Sequence, residues 1–349
     1  MSRSPLLRMF GAAIVCAALA GVALVATQSP PTGAKMATAA DKFVGTLSPE
    51  QKKQATFSFD DPHRTAWYFT PQQDKQKQST RKGLRFDGLN DKQKEAVMEL
   101  LRTGVSDTGY DQATTIMNLE TILADLEGKN GAMTRDPKWY FVSIFGEPSN
   151  TGSWGWRIEG HHFSVSFTLE KGEVLSPAPM MFGANPAEVR DGPKKGLRTL
   201  PEAEDTAKKL IASLIDDQKK IAAQAKQLPE IREGFPDAGV GQPLGIPAEK
   251  LTDVQKELLM AVVEAYSNRM PKDVAQAEIK RLKEAGVEKI HFAYCIEADK
   301  PGKPYTYRVQ GPTFVVEFIN TQADSAKNPA NHIHSSWRRL PMDFGLKAK

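Results

Sequence analysis

Two phrases recur in the same order along this chain, and a sequence that repeats itself can fold into far fewer things than one that does not. The first, Leu-x-x-x-Gln-Lys, occurs at Leu47, Leu89, Leu214 and Leu251. In three copies a capping residue, Ser48, Asn90 or Thr252, stands three positions before Gln51, Gln93 or Gln255, the spacing of a helix-starting capping box. The copy with Ile215 at that position is expected inside a helix. The second phrase runs from Trp154 to Phe163 (Trp-Gly-Trp-Arg-Ile-Glu-Gly-His-His-Phe) and is echoed from Tyr305 to Phe314 (Tyr-Thr-Tyr-Arg-Val-Gln-Gly-Pro-Thr-Phe). The copies lie roughly 150 to 170 residues apart, which points to two related halves. We therefore expect an α+β fold of duplicated halves, 46–200 and 201–349, related by a pseudo-twofold axis. Each would be a helical part followed by a small antiparallel sheet.

Periodicity fills in the elements. Ile116, Leu119, Leu123 and Leu126 make one helical stripe, Val254, Leu258, Leu259, Val262, Val263 and Tyr266 another, and Ala207 to Ile221 reads as one long helix. Strands are expected at 139–145, 154–158, 163–169, 287–296, 305–309, 314–319 and 331–339, with turns at Gly160, Gly311 and Lys171-Gly172. Residues 228–248, with four prolines and four glycines, are expected to be irregular, as a surface strap or a loop.

The N-terminus is of another kind. Residues 1–26 hold Arg3 and Arg8, no acid, and an uncharged run from Met9 to Ala26, the layout of a signal peptide or an N-terminal anchor. Residues 27–45 read as a flexible linker. An extracytoplasmic location follows, with membrane contact only through residues 9–26. Once residues 1–26 are removed, Cys295 is the single thiol, placed in an apolar strand. The 46 basic and 42 acidic residues of the full chain are too balanced for a nucleic-acid footprint. No phosphate-cradling loop, dinucleotide glycine fingerprint, nucleophile elbow or His-Glu-x-x-His is present, so no nucleotide cofactor is expected.

Of only six histidines, four fall in two tight groups, His161-His162 and His332-Ile333-His334. Residues i and i+2 of a strand share a face, so His332 and His334 would offer two nitrogens to one ion. His161 and His162 follow Gly160 at a hairpin, where one can turn inward. All four are candidate metal ligands, for zinc first and copper or iron as alternatives. Glu159 is a candidate general base and Arg338 a candidate catalytic group that orients substrate, with Arg157, Asn331 and Trp337 as substrate contacts. Arg308 repeats Arg157 in the half without paired histidines, which favours structural pairing for both arginines.

Gly152 to Phe163, Phe182-Gly183-Ala184-Asn185-Pro186 and Asn331 to Arg338 together resemble the bacterial domain-of-unknown-function family 3500. The resemblance implies a secreted or periplasmic protein and places Gly160, His161, His162, Asn331, His332, His334 and Arg338 in that family's motifs. It brings no activity with it. The tail from Arg338 to Gly345 departs from the more acidic form expected there. The expected function is a divalent-metal site between the halves serving hydrolysis of a small anionic or ester substrate; the competing reading is a non-catalytic module that binds a small ligand or partner.

Overall fold

The computed structural model describes residues 31–128 and 131–347. The charged and apolar segment 1–26 lies outside the described residues, and no described helix is long and apolar enough to cross a membrane.

The described residues open with α1 (Thr32–Gly45), α2 (Pro49–Ala55) and the short strands β1 (Thr56–Phe57) and β2 (Leu84–Arg85), followed by α3 (Asp91–Gly104) and α4 (Asp107–Glu127). Five strands follow: β3 (Tyr140–Phe145), β4 (Ser153–Gly160), β5 (Phe163–Glu170), β6 (Glu173–Ser176) and β7 (Met180–Ala184). Then come α5 (Pro201–Ser213), α6 (Asp216–Ala222), β8 (Ile246–Pro247), α7 (Asp253–Ser267) and α8 (Lys272–Ala285). The chain closes with β9 (His291–Ile296), β10 (Tyr305–Gln310), β11 (Phe314–Gln322) and β12 (His332–Arg339).

All twelve strands form one mixed sheet, ordered β1-β3-β4-β5-β7-β12-β11-β10-β9-β8, with β2 beside β3 and β6 beside β5. The small separate sheets expected for each half are therefore corrected. β7 pairs antiparallel with β12, Gly183 opposite His334 and Met180 opposite Trp337, and this pairing closes what would have been two exposed edges. Only β1 runs parallel to its neighbour, β3.

The expected caps form. Ser48, Asn90 and Thr252 each accept from the backbone N–H three residues on, and the glutamine there reaches back to the cap N–H. Ile215 instead marks the start of α6, because the single helix expected from Ala207 to Ile221 is broken after Ser213; lacking a side-chain oxygen, it forms only the half in which Gln218 accepts its N–H at 3.1 Å. The cap glutamines pair across helices: Gln51 and Gln93 exchange amide bonds at 3.2 and 2.8 Å, and Gln218 and Gln255 do so at 2.8 Å each way. Gln93 also donates to Thr46 O, and Gln255 to Ser213 O.

The linker expected over 27–45 is corrected from Thr32 onward. Met36, Ala40 and Phe43, at i, i+4 and i+7, are fully buried along α1, and the Thr32 hydroxyl donates to Asp273 at 2.6 Å. The expected strand 287–296 begins only at His291, after a 3-10 turn at Val287–Lys289.

The two faces of the sheet differ. Trp154, Trp156, Ile158, Phe163, Phe182, Tyr307, Phe318 and Trp337 join the helices in the main core. The other face carries Arg157, Glu159, Ser164, Ser166, Arg308, Glu317, Ser336 and Arg338, all buried. Irregular chain covers it. Arg157 donates to Arg64 O, Arg338 to Arg232 O and Phe235 O, and Gln310 to Gly241 O, so the segments around 58–81 and 224–245 satisfy buried polar strand residues with their carbonyls. Residues 228–248 are the irregular strap expected, interrupted only by β8.

Candidate functional site

The β4–β5 turn consists of His161 and His162. His162 takes φ of 61°, a left-handed conformation that swings its side chain across the end of the sheet. Its N–H donates to Phe69 O at 2.8 Å and its carbonyl accepts from Gly183 N at 2.8 Å, so the 58–81 segment and β7 fix the backbone from both sides. Gly183 makes the room: a Cβ there would stand 2.7 Å from Ile333 O and 3.0 Å from His162 Cδ2.

His332 and His334 lie on one face of β12 and meet His162. The Nε2 of His162 is 2.7 Å from that of His332 and 3.2 Å from that of His334, and the latter two are 3.2 Å apart. The outer nitrogens define the tautomers. His334 Nδ1 is 3.0 Å from Glu230 Oε2, and a carboxylate can only accept, so Nδ1 carries the proton and Nε2 a lone pair. Each of the three Nε2 atoms either carries a proton or presents a lone pair, so at least two of them face each other in the same state and one contact stays unsatisfied.

Burial and the neighbouring imidazoles keep His332 and His162 uncharged. Desolvation, then the other histidines, lowers His332 to about 2 and pushes His162 well below the ordinary histidine value. Burial opposes ionisation of Glu230, but its bond to His334 outweighs this and holds the carboxyl below its usual range. Phe69 packs its ring edgewise against His334, with centroids 5.0 Å apart.

His161 does not join the other three. Its ring lies against that of His162, centroids 3.8 Å apart, and its Nδ1 is 2.5 Å from Glu120 Oε1. Glu120, His161 and His162 form a second group with ligand atoms within 4.8 Å of one another. Arg135 stands behind His161, forked onto Glu127 by Nε and NH2 at 3.0 Å each.

The other expected site residues are placed elsewhere. Glu159 is closed between Arg157 Nε at 3.1 Å and Arg81 NH1 at 3.2 Å and accepts from Tyr68 N, so it is a structural counter-ion and not a base beside the imidazoles. Arg157 spends its remaining donors on the carbonyls of Arg64 and His63. Arg338 is fully buried against Asp343, with its guanidinium over Trp67, and cannot meet a substrate. Trp337 is buried and stacked on Phe314. Asn331 bonds Glu188 and Asp324, shaping the turn into β12. Arg308 pairs with Glu317 at 2.8 Å, the structural pairing expected. Cys295 is buried in β9.

Residues 30–346 match the family described as a protein of unknown function, DUF3500, and the chain belongs to that family. No curated protein and no solved structure matches it.

Proposed function

We propose that this DUF3500 chain binds one divalent transition-metal ion on His162, His332 and His334. The observation that carries the proposal is the convergence of three Nε2 atoms on one spot, with the His334 lone pair pointed at it. Without a cation that arrangement is repulsive; with one, every lone pair has a partner. The separations fit: nitrogens 2.7, 3.2 and 3.2 Å apart lie on a circle of about 1.8 Å radius. An ion roughly 1 Å off their plane would reach all three at the ~2.0–2.1 Å of a zinc–imidazole bond.

Charge supports the same conclusion. Glu230 rests on the ligand His334, and Glu120 on His161, whose ring lies against His162; two carboxylates around neutral imidazoles match a dipositive ion. Zinc is the first candidate for a neutral nitrogen set, with copper and iron as alternatives. Three protein ligands leave a position for water, the arrangement that supplies a nucleophile for hydrolysis of a small ester or anionic substrate. The second reading is a non-catalytic binding module, in which the ion only fastens β12 to the β4–β5 turn.

We also infer that the two halves arose by duplication, from the twice-formed glutamine exchange and the twice-used order of helices before strands, and that residues 1–26 direct the chain out of the cytoplasm.

The test is elemental analysis of untagged protein purified without chelator, beside the double variant H332A/H334A. Close to one equivalent of metal in the wild type and none in the variant is expected. Equal content in both, or no uptake by the wild type after dialysis against zinc, copper and iron, would overturn the proposal.

A further inference from the structure

Arg338 spends its guanidinium on Asp343 and two carbonyls, and Arg157 spends its own on Glu159 and the carbonyls of Arg64 and His63. Arg135 is built differently. One edge of its guanidinium, Nε and NH2, is forked onto Glu127 at 3.0 Å each, and Ser325 Oγ donates to the same carboxylate at 2.9 Å, so the group is held from behind. The other edge is turned toward the histidines, with NH1 3.2 Å from His161 Nδ1.

That contact cannot occupy the NH1 donors. A ring nitrogen has one bonding position, an N–H or a lone pair, and Glu120 Oε1, at 2.5 Å, already holds the one on Nδ1. Both N–H groups of NH1 are therefore left without an acceptor among the described residues. The place is not sealed: the side chains of Arg135 and His161 are each 11% exposed, and His332 is half-buried. His161 lies ring against ring on His162, so the unspent edge of Arg135 stands one imidazole away from the three converging nitrogens. Behind burial and the neighbouring imidazoles, the Arg135 charge is among those that lower both His162 and His332.

We propose that Arg135 is the anion-binding group of this site, holding through NH1 one oxygen of a small oxyanion, a carboxylate or phosphate, whose other oxygen meets the ion on His162, His332 and His334. The proposal rests on the reading of those three imidazoles as metal ligands and names what they would act upon. An oxyanion suits the place because it brings two acceptors, one for the ion and one for NH1, and a guanidinium edge pairs with oxygens in fixed directions. A monodentate anion such as azide needs the ion alone.

The test uses the full chain loaded with cobalt(II), whose visible spectrum reports a change of ligand at the ion. Acetate, phosphate and azide are titrated against the wild type and Arg135→Met, and bound cobalt is counted in each. Equal cobalt content is expected, with acetate and phosphate about tenfold weaker or more in the variant and azide unchanged. Equal oxyanion affinity in the two proteins, or a loss that azide shares, would overturn the role of Arg135 and leave the metal reading standing. Failure of the wild type to take up cobalt would overturn the metal reading and this proposal with it. If Arg135→Met does not load, Arg135→Gln, which keeps a donor for Glu127 without the charge, is read by the same comparison.

Discussion

Glu230 touches only the outer nitrogen of His334, so changing it probes whether the imidazoles are ligands without removing one. Glu230→Ala takes away the carboxylate 3.0 Å from Nδ1 and leaves Nε2 untouched. Loss of such an outer partner typically weakens metal affinity 10- to 100-fold. The low end is expected, because the Glu230 side chain is 45% exposed and water can replace its oxygen at Nδ1. About tenfold corresponds to ~1.4 kcal/mol. Glu230→Gln, which keeps an acceptor but not the charge, should lose less. His334→Ala, which removes a donor atom, should lose far more. The assay is competition for zinc against a chromophoric chelator, read as a dissociation constant for each protein. Unfolding of the metal-free variants checks that the strap stays in place. The ligand assignment is refuted if Glu230→Ala and His334→Ala weaken binding equally, or if neither does.

Further outcomes follow from the same structure. Burial, then the Arg157 charge, lowers His63 to about 3, so it gains a proton only on unfolding. Its contribution is fully present above pH 6.5 and is lost as the pH falls toward 3. Between pH 6.5 and 5 urea titrations should show about 1–2 kcal/mol of acid destabilisation that His63→Gln lacks, after allowance for partial solvent screening; an unchanged slope in the variant would contradict the assignment. Glu317→Ala strands Arg308 and should cost about 3–5 kcal/mol in chemical denaturation, whereas Arg308→Met with Glu317→Leu should come near neutral. A single-variant loss below about 1 kcal/mol would show that water already compensates the arginine. Gly183→Ala drives a methyl into Ile333 O and the His162 ring, so zinc affinity should fall more than in Glu230→Ala; retention of full affinity would mean that the turn moves freely.

The legible parts of this fold were those with local rules. Capping boxes at Ser48, Asn90 and Thr252 and the i, i+2 histidines of β12 obey short-range geometry, and so stand in the sequence as they stand in space. The strap residue Glu230 does not, since nothing near it has a period and its partner lies 104 positions away. Glu120 did leave a trace: it sits on the apolar stripe of α4 between Ile116 and Leu123, where an acid needs a partner. α1 was hidden by its small residues, which lower the apolar contrast while Met36, Ala40 and Phe43 still mark one side. Glu159, Arg157 and Arg338 were credited with chemistry because they flank histidines along the chain; they do share the polar face of the sheet, but Arg81, Asp343 and the carbonyls of the two covering segments had already claimed them.

The last of the described strands occupies the middle of the sheet. β12 lies between β7 and β11, so during synthesis the inner edge of β7 waits for residues 332–339, about 150 positions downstream, before it finds a neighbour. A nascent or C-terminally truncated chain therefore presents an open, hydrogen-bonding edge beside apolar Met180, Met181 and Phe182, the circumstance in which strands pair with the wrong molecule. Closure of the sheet and assembly of the three imidazoles are one event, and it waits for β12.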